Sequence, residues 1–448
     1  MNQYDLIIIG AGPGGYVAAI RAAQLGAKVA LIEKDKVGGT CLNRGCIPTK
    51  AIIACTTLYD KIQKAGNFGI STGEVKIDLS QVIDRKNKII EKLGKGIELL
   101  LEKNKIELIS GEAKVIEAGK VEIDTVDSRK LLAVSKKIIL ANGSKPFALP
   151  SLQFDGNNIL SSDDILNNRR RFERLNIIGG GVIGIHFAQV YSSLGTNVTI
   201  YEALPEILPG VDEEIVAALK RILKRKGIEI ITNTSFTKET SSDPTLVCVG
   251  RLPNLPGLEN LKLKMNGKSV WTNEKMETSI PGVYAIGDLT SSKMFAHVAS
   301  EQGVIAAENA LGANRSFTYD FVSYGIYTQP EIGSIGLNEK QAREIQGVGD
   351  REQGIKVGKF PFAALGIAQA MGEIEGFIKI ITDANGKIIG VHILGPEANA
   401  LIGIAVVAMK NGVSAEQLAE TIQAHPSYPE GIQEAALNIF KRSLHSIN

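Results

Sequence analysis

Tyr4-Asp5-Leu6-Ile7-Ile8-Ile9-Gly10-Ala11-Gly12-Pro13-Gly14-Gly15 decides the fold of this chain. Its apolar half has the length of one buried strand, and its second half sets Gly10, Gly12 and Gly15 in a G-x-G-x-x-G pattern ahead of the helix-forming stretch Tyr16 to Leu25. Glycines serve there because a backbone without side chains turns tightly and lets a helix N-terminus approach a pyrophosphate. The next strand, Lys28 to Glu33, ends in an acid about 20 residues beyond the glycines, where a carboxylate accepts from ribose hydroxyls.

The same construction returns at Leu175 to Ile178, Gly179-Gly180-Gly181-Val182-Ile183-Gly184, a helix to Leu194 and a strand Asn197 to Tyr201 that ends at Glu202. A plain turn does not account for either glycine cluster, since both sit between a strand and a helix. The chain therefore reads as having two dinucleotide sites. Glu202 favours the free ribose diol of NAD, because the extra phosphate of NADP would be repelled. A third strand, Val283 to Ile286, leads into Gly287-Asp288; on local grounds Asp288 reads more readily as a solvated turn residue than as a ligand.

Around these motifs the composition narrows the choices. At 448 residues the chain exceeds one core, and about 150 residues per domain suggests three units. Lys plus Arg number 50 against 48 for Asp plus Glu, with no long basic run, so neither nucleic acid nor an anionic membrane is favoured. The apolar runs at Leu6 to Ile9, Lys137 to Leu140 and Ile404 to Met409 fall short of the roughly 18 residues a membrane span needs. The first strand begins almost at Met1, which leaves no room for a leader and points to a soluble cytoplasmic protein.

Of four cysteines, Cys41 and Cys46 stand close together in Gly38-Gly39-Thr40-Cys41-Leu42-Asn43-Arg44-Gly45-Cys46-Ile47-Pro48-Thr49-Lys50. The glycines make a bent backbone inexpensive, so the pair can close a small ring. In a reducing compartment such a pair is catalytic or metal-binding, and no Cys/His cluster lies near it to favour metal. Cys55 and Cys248 read as ordinary buried thiols. Cys46 and Lys50, four apart, would share one face of a helix, where an ammonium stabilises a thiolate.

With Gly39 to Lys50, Val283 to Asp288, Tyr327-Thr328-Gln329-Pro330-Glu331, Ala424-His425-Pro426 and Glu430 in order, the chain resembles the flavin-dependent pyridine nucleotide-disulfide oxidoreductases over nearly its whole length. The resemblance implies an α/β fold with two Rossmann-like dinucleotide-binding domains and a C-terminal α+β dimerisation domain. It divides the chain into 1-150 (FAD domain, first part), 151-280 (NAD domain), 281-319 (FAD domain, second part) and 320-448 (dimerisation domain). FAD would lie on Gly10, Gly12, Pro13, Gly14, Gly15, Lys34, Gly39 and Thr40, with Glu33 at the adenosine ribose and Lys50 near the flavin. Gly111, Ala113, Ala141, Asn142 and Gly143 would line the same site, closed by Gly287, Asp288, Met294, Ala296 and His297. NAD would lie on Gly179, Gly181, Val182, Ile183, Gly184, His186, Glu202 and Gly250. No metal is implied.

The resemblance also implies a redox disulfide in which Cys41 exchanges with substrate and Cys46 faces the flavin. Exchange needs a thiolate, so a base must serve the dithiol substrate. His425 is the candidate, preceding a proline just before a new helix. Ser427 and Glu430 have capping-box spacing at that helix start, and Glu430 is also the implied orienter of His425. His425 would act across a homodimer on the partner's disulfide. The implied reaction oxidises dihydrolipoamide with NAD, the donor being a lipoyl-bearing protein of a 2-oxo acid dehydrogenase or glycine cleavage system. Another disulfide substrate, or an electron-transfer or assembly flavoprotein with impaired NAD exchange, are the alternatives.

Three departures stand out. Val247 follows Thr232 after little more than a dozen residues, so a small antiparallel layer of the NAD domain is absent. His186 stands where most relatives have a Glu that pairs with the lysine at Lys50, and Asn142 stands where Thr is usual. From Asp320 onward, strand-like Phe377 to Thr382 and Ile388 to Leu394 flank a turn at Asn385-Gly386, the mark of a hairpin, with helices following. Arg169 to Arg174 reads as a solvated connector.

Overall fold

Leu6–Ile9 is buried throughout because it is paired on both edges and covered on both faces, the situation that calls for an unbroken apolar run. It lies parallel to Val29–Glu33, with Leu6 opposite Val29, and to Ile138–Leu140, with Ile7 opposite Ile138. A computed structural model of the chain describes residues 2–237, 242–290, 293–346 and 354–446. The chain forms two compact units, each gathered from separate stretches.

The first unit comprises Met1–Leu58, Ile70–Arg171 and Val247–Thr318. Its sheet runs Asn2–Gln3, Lys130–Val134, Lys120–Thr125, Glu107–Glu117, Val29–Glu33, Leu6–Ile9, Ile138–Leu140, Val283–Ala285. The long strand Glu107–Glu117 serves two kinds of neighbour: Glu107 to Ser110 run parallel to Ala30 to Glu33, and from Gly111 onward it pairs antiparallel with Lys120–Thr125. At that changeover a Cβ on Gly111 would stand 2.6 Å from the Asp124 carbonyl oxygen. Helices Pro13–Gln24 and Ala296–Ala310 meet backbone to backbone, since a Cβ on Gly303 would lie 2.4 Å from the Gly14 oxygen. Each of these helices begins beyond the C-terminal end of a parallel strand, so both N-termini open at the same edge of the sheet.

The second unit comprises Tyr59–Gly69, Phe172–Leu246 and Tyr319–Asn448. Its parallel sheet places Glu229–Ile231, Asn197–Tyr201 and Arg174–Ile178 side by side. Its antiparallel sheet runs Tyr324–Ile326, Glu331–Gly336, Ile388–Gly395, Phe377–Asp383, Ile355–Pro361. Ile378, Ile380, Val391 and Ile393 bury their side chains with Leu401, Ile402 and Ala405 of helix Ala398–Lys410 and with Ile432 and Ala435 of helix Glu430–Ile439. The expected hairpin is present, its turn set by the left-handed Gly386 and by Asp383, whose carboxylate accepts from Asn385 and Lys387 N–H.

Lys379 interrupts the apolar side of its strand and is only 1% exposed. Its ammonium lies 3.0 Å from Asp212, 2.7 Å from Glu214 and 2.7 Å from Glu339, so a buried cation is held by three carboxylates. The Arg169 to Arg174 run is not simply solvated. Arg169 bonds Asp84 at 2.6 Å, Arg170 donates to Asn157, Arg171 donates to the Ile77 carbonyl, and Arg174 opens a strand. Among the described residues no helix is long and apolar enough to cross a membrane.

Candidate active site

The two glycine loops are built to one plan. Gly10 and Gly179 take φ of +99° and +102°, a region open to glycine, and a Cβ on Gly15 or Gly184 would stand 1.8 or 2.1 Å from the Gly10 or Gly179 carbonyl oxygen. Gly12 and Gly181 are the N-caps of helices Pro13–Gln24 and Val182–Ser193, with no side chain covering the helix end. Glu33 accepts from the Ala11 N–H at 2.7 Å, and Glu202 accepts from the Gly180 N–H at 2.7 Å. Their other carboxylate oxygens accept from Asp35 and Leu204 N–H, so each acid is aimed by the backbone. Both loops thus form a side-chain-free cradle at a helix N-terminus, with a carboxylate beside it, and fit a dinucleotide. Burial raises the Glu33 carboxyl above its usual range despite the lowering effect of those N–H groups.

The remaining first-site residues gather in the first unit. Pro13 and Gly14 open the helix, and Ala141, Asn142 and Gly143 follow strand Ile138–Leu140. The Asn142 Oδ1 is buried without a hydrogen-bond partner, an orphan acceptor consistent with a bound group that donates to it. Ala296 and His297 begin helix Ala296–Ala310, with Met294 just ahead and His297 stacked on Phe295 at 5.4 Å. Lys34 pairs with Glu112 at 2.9 Å, and Ala113 is buried in the sheet core. Asp288 is no loose turn residue: strand Val283–Ala285 leads into the 3-10 turn Gly287–Leu289, anchored by the bond from Gly287 N–H to Gln302, and the carboxylate accepts from Ser144 Oγ at 2.5 Å.

The cysteines are stitched to the first glycine loop. Gly38 N–H donates to the Ala11 oxygen at 2.8 Å, and a Cβ on Gly39 would stand 2.6 Å from the Gly12 Cα. Short helix Gly39–Arg44 carries Thr40 and Cys41, and Asn43 ties it down through the Val37 and Gly39 carbonyls, both at 3.0 Å. Helix Cys46–Gln63 starts at Cys46, with Pro48 in its first turn, where a missing N–H costs nothing. Both cysteines are free thiols, joined by a hydrogen bond. That bond and the Lys50 ammonium bring Cys46 down to about 6 although its side chain is exposed at the surface of this protomer. Cys41, holding the shared proton and partly buried, is pushed up. Burial lowers Lys50, and the two sulfurs push it back. Cys248 is buried as expected, but Cys55 is not: it is partly exposed, and Arg85 reaches its sulfur at 3.8 Å.

In the second unit His425 Nδ1 lies 2.7 Å from Glu430 Oε1, while Glu430 Oε2 accepts from the Ser427 N–H at 2.6 Å. Burial disfavours the Glu430 charge, but the bonds from His425 and Ser427 outweigh it and hold the carboxyl below its ordinary range. The expected capping box is only half present. The helix begins at Glu430 behind Pro429, and the Ser427 hydroxyl turns back to the Ala424 carbonyl instead of capping. The His425 side chain is 78% exposed.

His186 is buried at 3% exposure, and its Nε2 accepts from the Tyr327 N–H at 2.8 Å. One turn on, Gln189 accepts from the Gln329 N–H and donates to the Gln329 oxygen, so helix Val182–Ser193 grips the backbone of 327–329. His186 is therefore used as a neutral acceptor for main chain. Gly179, Gly181, Val182, Ile183, Gly184 and Glu202 lie with it in the second unit, whereas Gly250 belongs to the first. Among the described residues of 232–244 there is no strand, and Phe236 packs edge-on against Tyr201 at 4.9 Å. Two residues of the first unit escaped the sequence reading, Ser144 and Arg251; the only hint was a charged residue directly after Val249-Gly250.

Pyridine nucleotide-disulphide oxidoreductase matches residues 4–303, and the dimerisation domain of the same family matches 322–436. The dihydrolipoyl dehydrogenase of Geobacillus stearothermophilus is 38% identical over 470 residues, covering 99% of this chain and 98% of that one. That of Thermus scotoductus is 37% identical over 474 residues, covering 100% of both. Both alignments are longer than the 448 residues here, so the relatives carry segments this chain lacks. Among solved structures, LpdA of Mycobacterium tuberculosis superposes with a TM-score of 0.88 at 26% identity, covering 97% of this chain and 99% of that one. The flavoprotein disulfide reductase RclA of Escherichia coli does so with 0.87 at 27%, again covering 97% and 99%. The chain belongs to the pyridine nucleotide-disulphide oxidoreductase family.

Proposed function

We propose that this protein oxidises dihydrolipoamide to lipoamide with NAD as acceptor, through Cys41, Cys46 and FAD. The observation that carries the reading is the Cys41 and Cys46 pair fastened to a dinucleotide cradle, with Gly38 N–H on the Ala11 oxygen and Gly39 packed against the Gly12 Cα. The first loop, Glu33 and Asp288 would hold FAD, which would supply a two-electron acceptor for the dithiol, and the second loop would hold NAD as the final acceptor.

The chain's own residues account for the thiol steps. His425 Nε2 takes the proton of one substrate thiol, while Glu430 keeps Nδ1 protonated and stabilises the imidazolium. The substrate thiolate attacks Cys41 Sγ of the oxidised pair, the Cys41–Cys46 bond breaks, and Cys46 leaves as a thiolate beside Lys50. The second substrate thiolate then closes on the first substrate sulfur and releases Cys41, which takes up a proton. A substrate disulfide and an enzyme dithiol result, balanced in atoms and electrons. The exposure of His425 supports its working on a second copy of the chain, which the dimerisation domain would bring to it. The electron donor is then a lipoyl group carried by a 2-oxo acid dehydrogenase or glycine cleavage protein in the cytoplasm, and the segments 1-150, 151-280, 281-319 and 320-448 carry the division of labour set out above.

Anaerobic addition of dihydrolipoamide followed by NAD tests the reading. Two new protein thiols per subunit and then NADH are expected. No new thiols, with reduction by another dithiol, would overturn the substrate; new thiols without NADH would leave an electron-transfer flavoprotein instead.

A further inference from the structure

Asp288 is not held by its own turn alone. Antiparallel strands Ser144–Pro146 and Arg251–Pro253 place Ser144 and Arg251 side by side, closed at one end by Phe147 N–H to the Gly250 oxygen and at the other by Asn254 N–H to the Gly143 oxygen. Arg251 donates through Nε to Ser144 Oγ at 2.8 Å and through Nη2 to the Ser144 carbonyl at 2.9 Å. Ser144 Oγ in turn lies 2.5 Å from Asp288 Oδ2, the length of a hydrogen bond to an ionised oxygen.

The bonds run in one direction, from Arg251 through Ser144 to Asp288. A guanidinium has donors only, and a serine hydroxyl has one proton. Ser144 accepts from Arg251 and donates to Asp288 Oδ2. Ser144 and Arg251 thereby fix the position of one Asp288 carboxylate oxygen. The Arg251 side chain is only 12% exposed, too buried to be a solvated cation, and its guanidinium also lies 4.0 Å from Asp163.

We propose that Arg251, acting through Ser144, is the positioning residue that fixes Asp288 for the flavin's hydroxyl-bearing chain and balances the Asp288 charge against the Cys46 thiolate. The proposal rests on the reading of the first site as the FAD site. The charged groups facing Cys46 are Cys41 and Lys50, which favour its thiolate, and Asp288, which opposes it. Those facing Arg251 are Asp163, Asp288, Arg44 and Cys46 itself. With the relay intact, Arg251 offsets the repulsion from Asp288; with it broken, Asp288 is free to swing and its charge is less well covered.

The test uses full-length protein carrying its flavin, with Ser144→Ala to break the relay without removing a charge and Ser144→Thr to restore the hydroxyl. Flavin release in mild urea is followed by fluorescence, and thiol alkylation of the reduced protein is followed against pH. Ser144→Ala should release flavin about tenfold faster and lower the thiolate fraction on the acid side about threefold, and Ser144→Thr should recover both. Unchanged release and alkylation in Ser144→Ala, or a Ser144→Thr as impaired as the alanine, would overturn the relay. If the parent itself holds no flavin and shows no acidic thiol, the functional reading fails, not the relay.

Discussion

Replacing Glu430 by Gln changes no shape and removes one charge, yet the geometry requires a large effect. Glu430 spends both oxygens as acceptors, one on His425 Nδ1 at 2.7 Å and one on the Ser427 N–H at 2.6 Å. Glutamine has one acceptor and one donor end. Ser427 N–H can only donate, so the amide oxygen stays with it and the NH2 turns to His425. Nδ1 must then accept, and the ring proton moves to Nε2, the atom that takes the substrate proton. The imidazolium also loses its counter-charge. At the observed 2.7 Å the attraction is about 1.5 kcal/mol in bulk water, which suits the exposed His425 of a lone protomer, and about 3 kcal/mol at an effective dielectric of about 40, which suits a site covered by a second copy. At about 1.4 kcal/mol per decade, kcat for dihydrolipoamide should fall roughly 10- to 150-fold. Steady-state NADH formation measures it, with thermal unfolding as the control for folding. A kcat within about threefold of the parent would refute both the tautomer argument and the assignment of His425 as base.

Other outcomes follow from the same geometry. Alkylation of the reduced protein should rise with pH through about 6, and Cys41→Ala should move that midpoint upward, because the hydrogen bond from Cys41 is the largest influence lowering Cys46; an unmoved midpoint would remove that cause. Gly184→Ala, whose methyl would stand 2.1 Å from the Gly179 oxygen, should cut NADH formation about tenfold or more while dihydrolipoamide still generates protein thiols, and equal loss of both would refute two separable sites. Lys379→Met should cost about 3 to 5 kcal/mol in urea unfolding at neutral pH by stranding Asp212. Lys379 and its neighbours hold Asp212 below its usual range, against burial, so the pairing contributes stability above about pH 4 that is lost as pH falls through the depressed folded value. The gap between variant and parent should therefore narrow in acid, and a gap constant from neutral to acid pH would contradict the sign.

What could be read from the sequence was what local spacing encodes. Gly10 to Glu33 and Gly179 to Glu202 announce themselves because strand, turn, helix and acid are consecutive, and the closing bond from loop N–H to carboxylate spans only 22 residues. Cys46 and Lys50 were legible for the same reason, one helical turn apart. Asp288 was ambiguous because its partner Ser144 is 144 residues away, and Arg251 was missed because its contact with Ser144 spans 107. The capping box misled because the spacing of Ser427 and Glu430 suits two arrangements: Glu430 Oε2 does accept from the Ser427 N–H, but the Ser427 hydroxyl turns to the Ala424 carbonyl instead of the helix. Lys379 in an apolar strand gave no sign of its acids, which come from residues 212, 214 and 339.

The way the two units share the chain bears on the order in which they can be made. The backbone leaves the first unit after Leu58, returns at Ile70, leaves again after Arg171, returns at Val247 and departs for the last time after Thr318. The edge strand Val283–Ala285 closes the first sheet against Ile138–Leu140, and helix Ala296–Ala310 sets the Ala299 carbonyl oxygen 2.9 Å from where a Cβ on Gly14 would stand. A nascent chain that has emerged only to residue 280 therefore carries both glycine cradles and every strand of the parallel sheet behind the second, whereas the first sheet still lacks its edge strand and Asp288. Neither unit can be released by cutting the chain once, and during synthesis the sheet of the second cradle can be complete while the first still waits for Val283–Ala285 and Asp288.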